Sequence, residues 1–166
     1  MNPTRRAKRP EKALGGILRK TGLTLAVAES CTGGLFSKII TDAPGSSDYF
    51  LGSVVAYDNS AKTKFTGIGR GLIKRHGAVS IKTAEALALG IRRRLDSDIG
   101  VSITGIAGPT GGSVDKPVGT VCIGISFKGK KKVLAKKYLF KGKRAGIRRA
   151  ASLTALRALI KALHGG

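Results

Sequence analysis

Glu29, Ser30 and Cys31 set a carboxylate, a hydroxyl and a thiol side by side, followed by Thr32, Gly33 and Gly34. An apolar run, Leu23 to Ala28, precedes them and reads as a buried strand. Leu35 to Ile40 follows with apolar residues at helical spacing. Ser30 is therefore expected where a strand ends and a helix begins, with the N–H groups of the first helical turn and the positive end of the helix dipole beside it. The two glycines let a ligand approach the backbone. Such a turn suits nucleophilic attack on a carbonyl or phosphoryl group. The plainer reading is that Ser30 or Thr32 only caps the helix.

A serine nucleophile needs a base. His76 falls in a predicted loop and His164 lies near the carboxyl end, so neither is well placed. No Gly-x-Ser-x-Gly elbow is present, and no Ser-x-x-Lys begins at Ser30. Lys62, one turn beyond Tyr57 on a predicted helix, can serve if burial lowers its pKa, although most lysines are simply solvated. Cys31 is the rival nucleophile, against the plainer reading of a small core residue. The glycine-rich loop after Thr104 lacks the Walker pattern, but its amides can still hold a phosphate or an oxyanion. No cluster of acidic residues and histidines suggests a metal, and no cofactor is expected.

The elements that must position these residues follow from periodicity. Met1 to Pro10 reads as a disordered basic tail, and residues 11–166 as one domain. Glu11–Lys20 reads as a helix, Leu23–Ala28 as a strand and Ser30–Thr41 as a turn and helix. Tyr49–Tyr57 reads as a strand, with a helix start capped by Asp58, Asn59 or Ser60. Gly67–Gly77 reads as a connector and Ser80–Leu95 as a helix with Ala84, Leu87, Ala88 and Ile91 on one stripe. Ile99–Thr104 is a predicted strand, Val118–Phe127 and Val133–Phe140 a hairpin. Arg144–Leu163 is a closing helix, with Ile147, Ala151, Thr154, Leu156, Leu159 and Leu163 facing inward. The order predicts a three-layer α/β/α single domain with a mixed, mainly parallel sheet and a C-terminal antiparallel hairpin. Ser30, Tyr57 and Thr104 each fall at a strand end, where such sheets gather ligands.

The 166 residues carry 31 Lys+Arg against 9 Asp+Glu, a formal charge of +22. That fits an anionic partner or substrate, or a general basic bias spread over the surface. With no Trp and 5% aromatic residues, an aromatic nucleic-acid platform is not expected. Two cysteines give no disulfide framework and fit a reducing cytoplasm. Glu11, Lys12, Arg19 and Lys20 interrupt any signal-peptide core, and no apolar run is long enough to span a bilayer.

Four motifs stand in order: Ala28-Glu29-Ser30-Cys31-Thr32-Gly33-Gly34, Val54-Val55-Ala56-Tyr57-Asp58-Asn59-Ser60-Ala61-Lys62, Thr104-Gly105-Ile106-Ala107-Gly108-Pro109 and Lys116-Pro117-Val118-Gly119-Thr120-Val121. Together they resemble the CinA C-terminal domain family of nicotinamide mononucleotide deamidases, over about Glu11 to Leu163. The resemblance implies a stand-alone form without the domain that precedes this one in longer members. It implies hydrolysis of the carboxamide of nicotinamide mononucleotide to nicotinic acid mononucleotide and ammonia, in pyridine nucleotide salvage. Residue by residue, it implies Ser30, Lys62, Tyr57 and Thr104 as catalytic: Ser30 the nucleophile, Lys62 the base with Tyr57 the alternative immediate base, and Thr104 in the catalytic hydrogen-bond set. Glu29, Cys31, Thr32, Gly33, Gly34, Gly105 and Arg144 are the expected substrate-binding residues. The family's Gly-Asp before that arginine is here Gly142-Lys143. Expected partners are the small-molecule substrate and copies of the same chain, with no membrane and no nucleic acid. The competing readings are a basic accessory protein that binds nucleic acid without catalysis, and an inactive scaffold of the same family.

Overall fold

The computed structural model describes residues 9–165. In chain order the elements are α1 (Pro10–Thr21), β1 (Leu25–Glu29), α2 (Leu35–Thr41), β2 (Phe50–Val55), α3 (Asn59–Thr66), α4 (Arg70–His76), α5 (Ile81–Arg94), β3 (Ile99–Gly105), β4 (Thr120–Phe127), β5 (Leu134–Leu139) and α6 (Arg144–His164). The sheet order is β2-β1-β3-β4-β5. β1 pairs in parallel with β2 and with β3, and β4 pairs antiparallel with β3 and with β5. Only β4 therefore runs against the others. This is the expected mixed sheet with a C-terminal hairpin, covered by helices on both faces.

The two faces of the sheet differ in side-chain size, and that difference sorts the helices. Leu25 and Val27 of β1, Ile99, Val101 and Ile103 of β3, and Val121, Ile123 and Ile125 of β4 share one core with α1, α2 and α6. The alternate residues on those strands are small: Ala26, Ala28, Gly100, Ser102, Cys122, Gly124 and Ser126. Ala26 and Ala28 pack with Leu87 and Ile91 of α5 and with Ile73 of α4. Small residues let α5 lie close, and the Ser102 hydroxyl donates to the Ala84 carbonyl at 2.6 Å. A Cβ on Gly100 would meet the Ala88 carbonyl oxygen and the Arg92 side chain.

Local chemistry sets the helix ends. Pro10 opens α1 at a position where its missing N–H is not needed, and Gly22 closes it in the left-handed conformation. Asp58 caps α3 by accepting from the Ser60 N–H, and Ser80 caps α5 by accepting from the Thr83 N–H.

Several expectations are corrected. Pro10 belongs to α1; the rest of the expected tail, apart from Arg9, lies outside the described residues. The connector Gly67–Gly77 contains α4, so His76 is helical. The four glycines of that stretch, with Arg70, Lys74 and Arg75, hid the helix, which is held by Ile68 and Ile73 against α5. On α6, Leu163 is half-buried and packs against the core as expected, Thr154 is only half-buried, and Ser152 and Ala155 are buried.

Gly100→Ala is expected to destabilise the fold by about 1–3 kcal/mol, because the clash is with backbone rather than with a movable side-chain tip. Urea unfolding measures it as a lower midpoint with an unchanged slope.

Candidate active site

The parallel register brings three strand ends to one rim. Glu29 pairs with Val55 on one side and with Ile103 on the other. The ladder runs one step further, with the Ser30 N–H donating to the Ile103 carbonyl at 2.9 Å and the Ala56 N–H to the Glu29 carbonyl at 2.8 Å. Ser30, Ala56 with Tyr57, and Thr104 with Gly105 therefore lie together at the carboxyl ends of β1, β2 and β3. The connection after β1 packs α2 on one face, and the connection after β2 packs α5 on the other. This is the crevice where open α/β sheets hold ligands.

The expected turn is present between Ser30 and the helix. Gly33 and Gly34 both take left-handed conformations, at φ 56° and 91°, and delay α2 until Leu35. The start of that helix is already occupied. Glu29, fully buried, accepts from the N–H groups of Gly34 (3.0 Å), Phe36 (3.2 Å) and Ser37 (2.8 Å), and from the Ser37 hydroxyl (2.5 Å). A buried carboxylate needs such donors, and the helix dipole adds to them. Glu29 thus holds the turn in shape, and those three N–H groups are not free for an oxyanion. The N–H groups of Cys31 and Thr32 are given to no carbonyl among the described residues.

Ser30 is 8% exposed, and its hydroxyl makes no hydrogen bond with protein among the described residues. Lys62 is 2% exposed, and its Nζ donates to the Tyr57 carbonyl at 2.7 Å. It makes no hydrogen bond to Ser30. Burial pushes the Lys62 amine below the ordinary lysine range, while the charge of Asp58 and that of a Cys31 thiolate act the other way. The Tyr57 carbonyl that it bonds directly follows Ala56, whose N–H pairs with the Glu29 carbonyl, so the amine lies on the same rim as the Ser30 turn. Lys62 is carried inward because α3 docks closely on α5: a Cβ on Gly90 would collide with the Thr66 carbonyl, one turn beyond Lys62. Cys31 is buried, and burial pushes its thiol up to about 11. At neutral pH it stays protonated, which removes the rival nucleophile.

The remaining candidates frame the rim. Tyr57 is 57% exposed, and its hydroxyl accepts from Arg144 at 2.9 Å. The same guanidinium donates to the Gly108 carbonyl at 2.6 Å, so Arg144 ties the β2–α3 loop to the loop after β3. Lys143 gives α6 no side-chain cap. Thr104 is fully buried, and its hydroxyl donates to the Ala78 carbonyl at 2.8 Å, which commits its proton to the loop before α5. The sequence reading passed over Arg148, which donates to the Thr32 carbonyl at 2.6 Å. Its place one turn beyond Arg144, at i and i+4, was the available signal. An open groove of about 1110 Å³ lies at the other end of the sheet, among Phe127, Leu134, Tyr138, Thr154 and Leu163, and holds none of the candidates. Among the described residues no group of side chains could hold a metal ion, and no helix is long and apolar enough to cross a membrane.

The CinA C-terminal domain model matches residues 7–163. A Moorella thermoacetica protein with the provisional name of a competence-damage inducible protein is 50% identical over 154 residues, 93% of this chain and 37% of its own length. A Synechocystis CinA-like protein is 55% identical over 113 residues, 68% of this chain and 27% of its own. The chain therefore spans about a third of the length of the curated relatives it matches. The crystal structure of a competence/damage inducible protein from Agrobacterium tumefaciens superposes with a TM-score of 0.87 at 38% identity, over 94% of this chain and 95% of that one.

Lys62→Met tests the burial of the amine through stability. A lysine whose folded pKa is lowered opposes folding below that pKa, and the penalty fades as pH rises from it towards the ordinary 10.5. Lys62→Met is expected to melt higher than the unaltered protein at pH 7, with the gap narrowing near pH 10. A lower melting temperature at both pH values would contradict it.

Proposed function

The chain belongs to the CinA C-terminal domain family, and on that premise we propose that it is an amidohydrolase that releases ammonia from nicotinamide mononucleotide. The observation that carries this reading is the Ser30 hydroxyl, unpaired among the described residues, on the same rim as the buried Lys62 amine, next to backbone N–H groups that no carbonyl among those residues takes up.

In this reading Lys62 acts as the neutral amine. It keeps its bond to the Tyr57 carbonyl, which orients Nζ, and turns its lone pair towards Ser30. Ser30 Oγ attacks the carboxamide carbon and its proton passes to Lys62. The negative charge on the former carbonyl oxygen is met by the N–H groups of Cys31 and Thr32. The C–N bond then breaks, Lys62 returns the proton to the leaving nitrogen, and ammonia departs from an ester on Ser30. A water, deprotonated by Lys62, cleaves that ester to the carboxylate and restores Ser30.

The other candidates take supporting roles. Tyr57 and Arg144 form the outer wall, and the donors of Arg144 not used on Gly108 and Tyr57 suit the substrate phosphate. Gly105 continues the rim after Thr104, whose buried hydroxyl keeps β3 locked to the α4–α5 loop. Glu29 acts through the turn it holds. The formal charge of +22 favours an anionic nucleotide and a neutral Lys62. Two buried free thiols suit a reducing cytoplasm.

Incubation of the purified protein with nicotinamide mononucleotide is expected to yield nicotinic acid mononucleotide and ammonia. Ser30→Ala is expected to lower kcat by roughly 10³-fold or more with the fold intact. The rate should rise with pH through a single group titrating below the ordinary lysine value. No ammonia from the unaltered protein, or full activity in Ser30→Ala, would overturn the reading.

A further inference from the structure

Arg148 is the polar side chain near the rim whose surroundings a packing role does not explain. It stands on the second turn of α6, half-buried, one turn beyond Arg144. Its one side-chain hydrogen bond among the described residues runs from Nη2 to the Thr32 carbonyl at 2.6 Å, across 116 positions of sequence. Its Nε is buried without a partner among the described residues, and so is the Thr32 hydroxyl beside that carbonyl. A buried donor left unpaired weakens a fold, and an apolar side chain of similar size would fill the space without that penalty. The guanidinium also presses on the turn, since a Cβ on Gly33 would lie 3.2 Å from its Nη2.

What this contact does follows from the peptides behind it. The Thr32 carbonyl also accepts from the Leu35 N–H at 3.2 Å, so it is held from α2 and α6 at once. The N–H of the same Thr32–Gly33 peptide, on Gly33, donates to the Ser30 carbonyl at 3.1 Å. The next N–H along, on Cys31, belongs to the Ser30–Cys31 peptide and is given to no carbonyl among the described residues. A charged donor on one carbonyl polarises its peptide and strengthens the donor at that peptide's other end. The positive charge of Arg148 is thus passed through two peptides to the Cys31 N–H, directly after Ser30. The Arg148 charge also favours the thiolate form of Cys31, so its field reaches this point.

We propose that Arg148 is a positioning residue for the Ser30 turn: its charged hydrogen bond to the Thr32 carbonyl fixes and polarises the peptides that end at the Cys31 N–H, the donor aimed at the oxyanion formed when Ser30 attacks. The proposal rests on the amidase reading for its substrate, but its physical content concerns any attack by Ser30. The first two turns of α6 then brace the site with two arginines. Arg144 joins the loops after β2 and β3, and Arg148 shapes the turn after β1.

The experiment compares Arg148→Met, which keeps bulk without charge, with Arg148→Lys, which keeps charge without the planar fork. Two rates are read. One is hydrolysis of nicotinamide mononucleotide. The other is labelling of Ser30 by a fluorophosphonate, in which Ser30 Oγ bonds to phosphorus, fluoride leaves, and the hydroxyl proton goes to Lys62. Arg148→Met is expected to lower kcat and the labelling rate by roughly 10- to 100-fold, less than loss of an oxyanion donor itself, with KM changed by less than about 3-fold. Its melting temperature should be unchanged or higher. Arg148→Lys should regain a large part of both rates.

Rates in Arg148→Met within about 2-fold of the unaltered protein would overturn the proposal, because one positioned charge is expected to matter more than that. So would a fall in both rates in both variants that tracks a lower melting temperature, since Arg148 would then be structural only. If the unaltered protein labels at Ser30 but leaves the nucleotide intact, the amidase reading fails alone, and the labelling rates still decide the role of Arg148. An unaltered protein that does not label at Ser30 overturns the proposal.

Discussion

The arrangement depends on one carboxylate. Glu29 is the last residue of β1 and faces the side of the sheet that α2 covers. Buried there, it would be intolerable alone, yet it gathers three N–H groups and a hydroxyl at the start of α2. The strand and the helix are thereby clamped together, and the five residues between them are forced outward as a turn. Gly33 and Gly34 supply the left-handed backbone that this detour needs. Ser30 is left at the rim with its backbone in the sheet ladder and its hydroxyl without a partner among the described residues.

Around that turn the sheet supplies the second requirement, a buried amine. The small-residue face of β1, β3 and β4 draws α5 close, and the bare surface of Gly90 draws α3 onto α5. The result is a lysine pressed into the interior whose amine donates to the Tyr57 carbonyl. A packing preference set by alternating residue size thus becomes an electrostatic one, because burial disfavours the charged amine. The arginines of α6 close the arrangement from the other face.

Much of this was legible in the sequence, for physical reasons. The strands announce themselves as apolar runs bounded by glycine and polar turns, and α5 by its stripe of Ala84, Leu87, Ala88 and Ile91. The convergence of Ser30, Tyr57 and Thr104 followed from their places at strand ends. What stayed hidden depends on contacts between distant residues. The partner of Arg148 is 116 positions away, and that of Thr104 is 26. The grip of Glu29 on α2 requires two left-handed glycines that no periodicity reports. α4 was hidden because its burial rests on Ile73 alone, amid glycine and basic residues. The likeness to a known family located the candidates, but which of them carry free groups and which are already committed came only from the hydrogen bonds.

The central claim is that burial disfavours the charged form of the Lys62 amine on the rim that carries Ser30. Its most direct test is an NMR titration of the Lys62 side chain in the folded protein, resolved by comparison with a Lys62 variant. The account predicts a midpoint clearly below the ordinary lysine value of 10.5, moving upward when the protein unfolds. A midpoint at the ordinary lysine value in the folded protein would contradict it.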